Sequence, residues 1–478
     1  MTHRAGISRA DSKNIVVLGA GIGGLTAAAL LAKAGHNVTV VERNDWIGGK
    51  SRRIELAGQR LDTGPALLTF PGVWDHLAAT YNGLGDADLT APKLELVKLE
   101  QVGEYFFRGQ RTMLPVESGH PWHVPWAKFD SIHGDLGPAI EKLLLTDPFS
   151  VASLPYVQKV FGKYGLALTT DQYLKTLRWM PDDLKEIVAI HTLNAGIAPK
   201  DTLALYASIT AVMAGDGISV PEGGVNQLPL ALFQMAVAAG ATVELGQRVT
   251  KVARGLVQTE TTKYHPDIVV SSLDPQVLKT LMTGKPAKLG KRSCSGVGIY
   301  AVLKQPLPEH TVTHSVIMPD NPDDLHASLR AAEPPKQTMA FVNYYKPGQI
   351  YPNTKPTVAV LLTAPADGKH YTIGSDWVRA ELDRISSVMG LEQPIDTYFE
   401  EHTVLDPQYF GSWGSLGGAL YGATRQMWQS GPFHSPAYNN PFRPWLWRVG
   451  ASVHPGGGMP AVLGGAMNSV ARLIKRIG

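Results

Sequence analysis

The chain is 478 residues long, with 49 glycines, 34 prolines, 44% hydrophobic residues and a formal charge of +3. That apolar content excludes a disordered chain, and the glycine excess is too small for collagen or low-complexity sequence. Charges of both signs are mixed, leaving no basic stripe for nucleic acid, and the single cysteine, Cys294, excludes an intrachain disulfide, a cysteine zinc cluster and an iron–sulfur site.

Residues 1–13 are polar and read as a frayed leader rather than a secretory signal. No stretch approaches the roughly 18 uncharged apolar residues of a membrane-spanning helix, so membrane contact has to be peripheral. The first element is Ile15-Val16-Val17-Leu18, a continuous apolar run of the kind buried on both faces of a parallel sheet. It breaks into Gly19-Ala20-Gly21-Ile22-Gly23-Gly24. An alanine- and leucine-rich helix over 25–34, a C-cap at Gly35 and a second strand over 37–41 ending at Glu42 complete a βαβ unit. In such a unit Gly19 permits the tight turn, Gly21 lets backbone approach a pyrophosphate, and Gly24 lets helix and strand pack closely. The helix N-terminus offers unpaired N–H groups to phosphate. Glu42, 18 residues after Gly24, stands where a carboxylate accepts ribose hydroxyls and repels an adenosine 2′-phosphate. Dinucleotide binding follows.

Next come Arg43-Asn44-Asp45-Trp46-Ile47-Gly48-Gly49-Lys50 and Leu61-Asp62-Thr63-Gly64-Pro65. Residues 111–217 carry helical patterns, among them Leu184, Ile187, Val188 and His191 on one face after Pro181-Asp182-Asp183, with His191 a core-edge residue. Val220-Pro221-Glu222-Gly223-Gly224-Val225 precedes an apolar helix over 228–239, then short strands over 242–245 and 248–252, and a buried strand over 266–271. From 293 to 403 β-like runs predict a largely antiparallel sheet interrupted by one helix near 377–388. The C-terminal segment from Trp445 reads as a strand, the turn Gly450-Ala451-Ser452-Val453-His454-Pro455-Gly456-Gly457-Gly458-Met459-Pro460, and a helix over about 461–477. His454, in a tight turn, is given no chemical role.

The acid followed by Gly48-Gly49-Lys50 resembles the N-terminal motif of the FAD-dependent amine oxidase and carotenoid desaturase superfamily. The C-terminal turn resembles the flavin motif of bacterial-type phytoene desaturases. The likeness runs from about residue 14 to 478 and departs at Ser272-Leu273-Asp274-Pro275, where the family commonly has Asn-Ala-Asp-Pro. It implies an α/β fold: a Rossmann-like FAD-binding domain from 14–70, 218–285 and 440–478, and a substrate domain with a mixed or antiparallel sheet from 71–110 and 286–439. Residues 111–217 would form a helical, membrane-facing section. FAD would be the cofactor. Its implied contacts, mostly through backbone, are Gly19, Ala20, Gly21, Gly23, Gly24, Glu42, Arg43, Gly49, Lys50, Gly64, Val249, Gly450, Ala451, Met459 and Pro460. Of these the Gly49-Lys50 turn would lie near the flavin diphosphate, and the Val249 peptide against adenine.

No HExxH, GxSxG or P-loop occurs, no metal site is expected, Cys294 reads as a buried inert thiol, and no residue is assigned a catalytic role. The flavin would carry the hard chemistry. The resemblance implies an oxidoreductase acting on CH–CH groups, a carotenoid desaturase introducing C=C bonds into an acyclic carotenoid. Within the family, residues 410–422 with their Gly417-Gly418-Ala419-Leu420-Tyr421-Gly422, and Asp62 to Thr69, resemble late-pathway enzymes acting at the 3,4 position of hydroxylated or methoxylated carotenoids. The alternatives are a phytoene desaturase, a carotenoid isomerase, another flavin oxidase of the fold acting on amines or porphyrinogens, and a non-enzymatic escort of prenylated proteins. A bilayer-borne substrate implies a cytoplasmic protein peripherally bound to the inner face of the cell membrane. Residues 154–164 and 173–180, with Lys159, Lys163, Lys175 and Arg178, are the candidate contacts. The electron acceptor stays open between oxygen and a quinone.

Overall fold

The computed structural model describes residues 12–99, 101–286, 292–422 and 436–477. Its first sheet has six strands in the order Asn439–Asn440, Arg443–Arg448, Ile268–Ser271, Asn14–Leu18, Asn37–Val41, Thr242–Glu244, parallel except for the first pair. Strands from both ends of the chain and from its middle thus lie side by side, with Val17 in register with both Val40 and Val270. Ile15 to Leu18 are all buried, as a strand covered on both faces must be.

Helix Ile22–Lys33 is buried along almost its whole circumference, which its alanines allow. It packs on helix Gln227–Ala238 and on the C-terminal helix Met459–Ile477. Both of its bounding glycines, Gly23 and Gly24, belong to its first turn, so the helix starts three residues earlier than the sequence predicts. The C-terminal helix likewise starts at Met459 rather than Ala461.

A second sheet has seven strands in the order Phe399–Leu405, Ser295–Leu303, Thr357–Ala364, Ala340–Tyr345, His314–Ile317, Gly103–Phe107, Gln110–Leu114. It is mixed: His314–Ile317 runs parallel to Gly103–Phe107 and the other pairs are antiparallel. Period-two alternation gives it two covered faces. Val297, Ile299, Ala301 and Leu303 pack with Val378, Leu382 and Ile385 of helix Asp376–Val388. Tyr300 and Val302 face the other way, onto Leu61 and Phe410. Two helices interrupt this region rather than one. The second, Pro322–Ala331, opens with Asn321 at its N-cap and Asp323 and Asp324 in its first turn, a start signal that is present in the sequence.

Residues grouped above as one substrate segment, 71–110, divide. Helix Gly72–Asn82 buries Val73, Trp74, Leu77 and Tyr81 in the core around the first sheet. Leu96–Leu99 pairs with Ile218–Pro221, and Gly103–Phe107 joins the second sheet. The strand Gln110–Leu114 overlaps the start of the expected helical section, and six α-helices follow between His123 and Asp216 around a core of their own.

Candidate active site

The glycine turn is built by its neighbours. Gly21 is the N-cap of helix Ile22–Lys33 and brings no side-chain cap, so the first-turn N–H groups are left to a ligand or water. Gly24 has no space for a side chain: a Cβ there would sit 2.0 Å from the Gly19 carbonyl oxygen. Glu42 is 6% exposed, and its carboxylate is already engaged. Oε2 accepts from the Ala20 N–H at 2.8 Å, while Oε1 accepts from the backbone and side-chain N–H of Asn44 at 2.9 and 2.8 Å. Glu42 therefore locks the turn to the second strand, and Oε2 keeps one acceptor direction for a ribose hydroxyl.

The other end of the chain meets this turn. A Cβ on Gly23 would lie 2.9 Å from Gly450 Cα, and one on Gly49 would lie 3.3 Å from Gly21 Cα. Gly48 N–H donates to the Ala20 carbonyl at 2.8 Å. Three glycine segments, near residues 19–24, 48–49 and 450, thus approach at backbone distance. Ala451 is half-buried just beyond Gly450, and Met459 and Pro460 are buried in the first turn of the last helix. Val249 packs with Leu18, Val41 and Leu273 behind the turn, and Gln247, two residues before it, donates its N–H to the Glu42 carbonyl at 2.7 Å. Ser272, noted in the sequence only as a departure from the family pattern, belongs here: its N–H donates to the Leu18 carbonyl at 3.0 Å, and its side chain lies between Gly21 and Gly450.

Arg43 and Lys50 both reach across to segment 407–422. Arg43 is exposed and donates to the Ser412 carbonyl at 2.5 Å, and Lys50 Nζ donates to the Leu420 carbonyl. Arg52 stacks 3.9 Å from the Trp46 ring and donates to Tyr409 Oη at 2.7 Å, with Trp413 beside both aromatic rings. Segment 407–422 is thereby strapped across residues 43–52. Lys50 keeps some accessible surface yet is surrounded by protein, as a group lining an internal space would be. Burial lowers its ammonium to about 8 against the pull of Asp274.

A buried carboxylate that sequence reasoning left unassigned organises the next segment. Asp62 pairs with Arg53 through Oδ1 at 2.7 Å and Oδ2 at 3.2 Å, accepts from Asn226 N–H at 2.8 Å and bonds Tyr351. Burial raises its carboxyl, and Arg53 opposes that. A Cβ on Gly224 would fall 2.2 Å from Asp62 Oδ2, so glycine at this position leaves room for the carboxylate. Gly64, two residues on, donates its N–H to Tyr300 Oη at 3.0 Å. Cys294 is buried with its thiol pushed up to about 12, and His191 is buried and bonded to Tyr105 Oη at 2.7 Å. Neither is poised for chemistry. Among the described residues no group of three or more His, Cys, Asp or Glu side chains could hold a metal.

The two-ended glycine cradle, the helix N-terminus without a side-chain cap and the acid on the second strand fit FAD, and the class they define is a flavin-dependent oxidoreductase. The model of the flavin containing amine oxidoreductase family matches residues 22–349, and the chain belongs to that family. It is 24% identical to a phytoene desaturase of Fusarium fujikuroi over 98% of this chain and 90% of that one. It is 25% identical to a 1-hydroxycarotenoid 3,4-desaturase of Flavobacterium sp. (strain P99-3) over 94% of this chain and 97% of that one. An engineered putrescine oxidase of known structure shares the fold, with a TM-score of 0.64 and 14% identity over 97% of this chain and 99% of that one.

Proposed function

We propose that this protein is an FAD-dependent carotenoid desaturase that introduces C=C bonds into an acyclic carotenoid, acting late in a pathway at the 3,4 position of a hydroxylated or methoxylated substrate. The observation that carries the desaturase reading is the meeting of Gly23 and Gly450, from opposite ends of the chain, at a distance only glycine allows. It occurs in a chain similar to carotenoid desaturases along nearly its whole length. The Gly417–Gly422 segment and the 3,4-desaturase relative support the finer assignment.

FAD would be held by backbone at Gly19, Ala20, Gly21, Gly23 and Gly24, by Glu42 at the ribose, by Gly49 and Lys50 near the diphosphate, and by Val249 at adenine. Gly64, Gly450, Ala451, Met459 and Pro460 would border its ring. When bound, FAD supplies the two-electron acceptor for a hydride leaving one C–H bond. The adjacent carbon would give up a proton to solvent or a base as the C=C forms, with oxygen or a quinone as the final acceptor we propose. The Lys50 ammonium, which burial lowers to about 8, is still mostly charged at pH 7 and would supply a positive charge there. The protein's remaining work is to align the polyene and exclude water.

Such a substrate resides in a bilayer, so we also propose peripheral attachment to the inner face of the cell membrane through the helical section. Six of the ten large apolar residues exposed among the described residues, Val124, Phe149, Val151, Leu154, Leu166 and Leu168, fall within residues 124–168. The expected second contact, 173–180, is turned inward: Tyr173, Leu174, Leu177 and Met180 are buried in the helical core.

The test of the catalytic reading is expression in hosts accumulating phytoene, neurosporene or 1-hydroxycarotenoids, with pigments separated by chromatography. A product longer by one conjugated C=C from the hydroxylated carotenoid is expected. Unchanged pigment in all three hosts, with a flavin-loaded protein, overturns the desaturase reading.

A further inference from the structure

The Tyr300 phenol reaches out of the second sheet to the cofactor cradle. Tyr300 lies in strand Ser295–Leu303, is 3% exposed, and accepts the Gly64 N–H on its Oη at 3.0 Å. The residue two back on the same face of that strand is glycine, which gives the ring room to lie along the sheet. A Cβ on Gly298 would be 2.9 Å from Tyr300 Cε2 and 3.2 Å from its Oη. The ring packs in one cluster with Leu61 and Phe410, and Tyr300 lines a small internal cavity together with Asp62, Tyr345 and Tyr351.

Gly64 is held on one side and accessible on the other. A Cβ there would sit 2.1 Å from the Lys50 carbonyl oxygen. Lys50 follows Gly49, which approaches Gly21 at backbone distance, so the cradle turn, the Gly49-Lys50 turn and Gly64 lie against one another in succession. The two residues before Gly64 are tied down as well. Asp62 is paired with Arg53 and accepts from Asn226 N–H, and Thr63 Oγ1 donates to the Arg52 carbonyl at 3.2 Å. With its back against Lys50 and its N–H taken by Tyr300, Gly64 is still exposed. It therefore presents one backbone face to whatever the cradle holds, and a phenol from the other sheet sets how its peptide is turned.

We propose that Tyr300 is a positioning residue for the flavin: by holding the Gly64 N–H it keeps that donor from the ring and fixes the turn the ring rests against. The assignment rests on the FAD reading above, in which Gly64 borders the ring. Hydrogen bonds to a flavin ring tune its electronics, and the reduced, electron-richer ring takes such a bond more strongly than the oxidised one. Withholding the donor therefore keeps the reduction potential low, which favours passing the electrons onward.

The experiment compares wild type, Tyr300→Phe and Tyr344→Phe. Tyr344, 1% exposed, lies on the opposite face of the same sheet, in the core around helix Asp376–Val388, and controls for the loss of a buried hydroxyl. The readouts are melting temperature, the Kd of FAD for the apoprotein, the visible absorbance band of bound FAD and its midpoint reduction potential. None of these requires the carotenoid to be known. Tyr300→Phe should displace the band, move the midpoint to a more positive potential and raise the Kd roughly twofold to tenfold, the worth of one hydrogen bond. Tyr344→Phe should change the melting temperature alone. A Tyr300→Phe protein with the wild-type band and potential, a midpoint moved the other way, or equal shifts in the Tyr344→Phe control overturns the positioning role. A wild type that takes up no FAD overturns instead the cofactor reading on which the role rests. Should Tyr300→Phe fail to fold, 3-fluorotyrosine in place of Tyr300 keeps the ring and weakens its oxygen as an acceptor. Smaller shifts in the same directions are then expected, and their absence overturns the proposal.

Discussion

At Gly24 one atom decides whether the cofactor site forms. Alanine within a helix is normally favoured over glycine by about 1 kcal/mol, yet here its methyl would meet the Gly19 carbonyl oxygen 2.0 Å away, a backbone atom with no rotamer to move. The clash therefore wins over propensity. Gly24→Ala should lower the melting temperature and weaken FAD binding by roughly tenfold or more, since the turn that aims N–H groups at the diphosphate must open. Gly83→Ala, at an exposed helix end where the nearest atom would be 3.4 Å away, should leave both unchanged. Equal FAD affinity in the two variants would count against the turn's role. This residue was legible in the sequence because its partners are close in the chain and the spacing is itself the signal. Asp62 was not. Its partner Asn226 lies 164 residues away, and Gly223-Gly224 read as a motif without revealing that it makes room for a carboxylate.

Elements follow the same division. The βαβ unit and the strands Ser295–Leu303 and Thr357–Ala364 announce themselves by apolar runs, and buried strands need no partner to be recognised. Between the helices of 123–216 periodicity shows which face is apolar but not what crosses it. A polar chain does cross it: Tyr173 Oη, His133 and Ser208 Oγ lie 2.7 Å apart in succession, and Ser208 reaches Tyr164 Oη at 2.5 Å. It joins helices His123–His133, Thr170–Thr176 and Tyr206–Asp216 to the end of Leu154–Phe161. A neutral imidazole serves such a chain as donor on one nitrogen and acceptor on the other. Burial, aided by Lys163 and opposed by Asp135, lowers His133 to about 4 from 6.5. The unfolded chain thus takes up a proton near pH 6.5 that the folded one refuses until about 4, so stability falls as pH drops through that window. The loss from this one group reaches roughly 3 kcal/mol at pH 4. His191 and His326, also buried and lowered to about 4, act in the same direction, and raised carboxyls such as Glu381 act against them. Urea midpoints measured from pH 7 to pH 4.5 should fall steadily. His133→Gln should start lower at pH 7 and show a shallower decline, and a slope identical to wild type would remove His133 from this account.

At the scale of the whole molecule, an insoluble polyene would have to pass from a bilayer to the cofactor cradle. None of the described helices is long and apolar enough to cross a membrane, so attachment by one face is the route we propose. Charge is a poor candidate for the main force. Lys159 and Lys163 are paired with Asp135, and Lys175 with Asp171, so much of the basic rim expected from the sequence is neutralised locally. Apolar contact has more to offer: Leu166 is 99% exposed and Val151 77%, and burying a residue of this kind in lipid is worth about 1.5–3 kcal/mol. The protein should therefore float with liposomes of neutral and anionic lipid alike, with little dependence on salt. Leu166→Ser with Leu168→Ser should cut the bound fraction's partition coefficient by roughly a hundredfold or more. Those two side chains project from the surface, so FAD content and melting temperature should hold. Flotation lost in high salt but unaffected by the serines would mean that the lysines, and not the apolar residues, hold the membrane. No flotation of wild type at all would require a carrier to deliver the substrate.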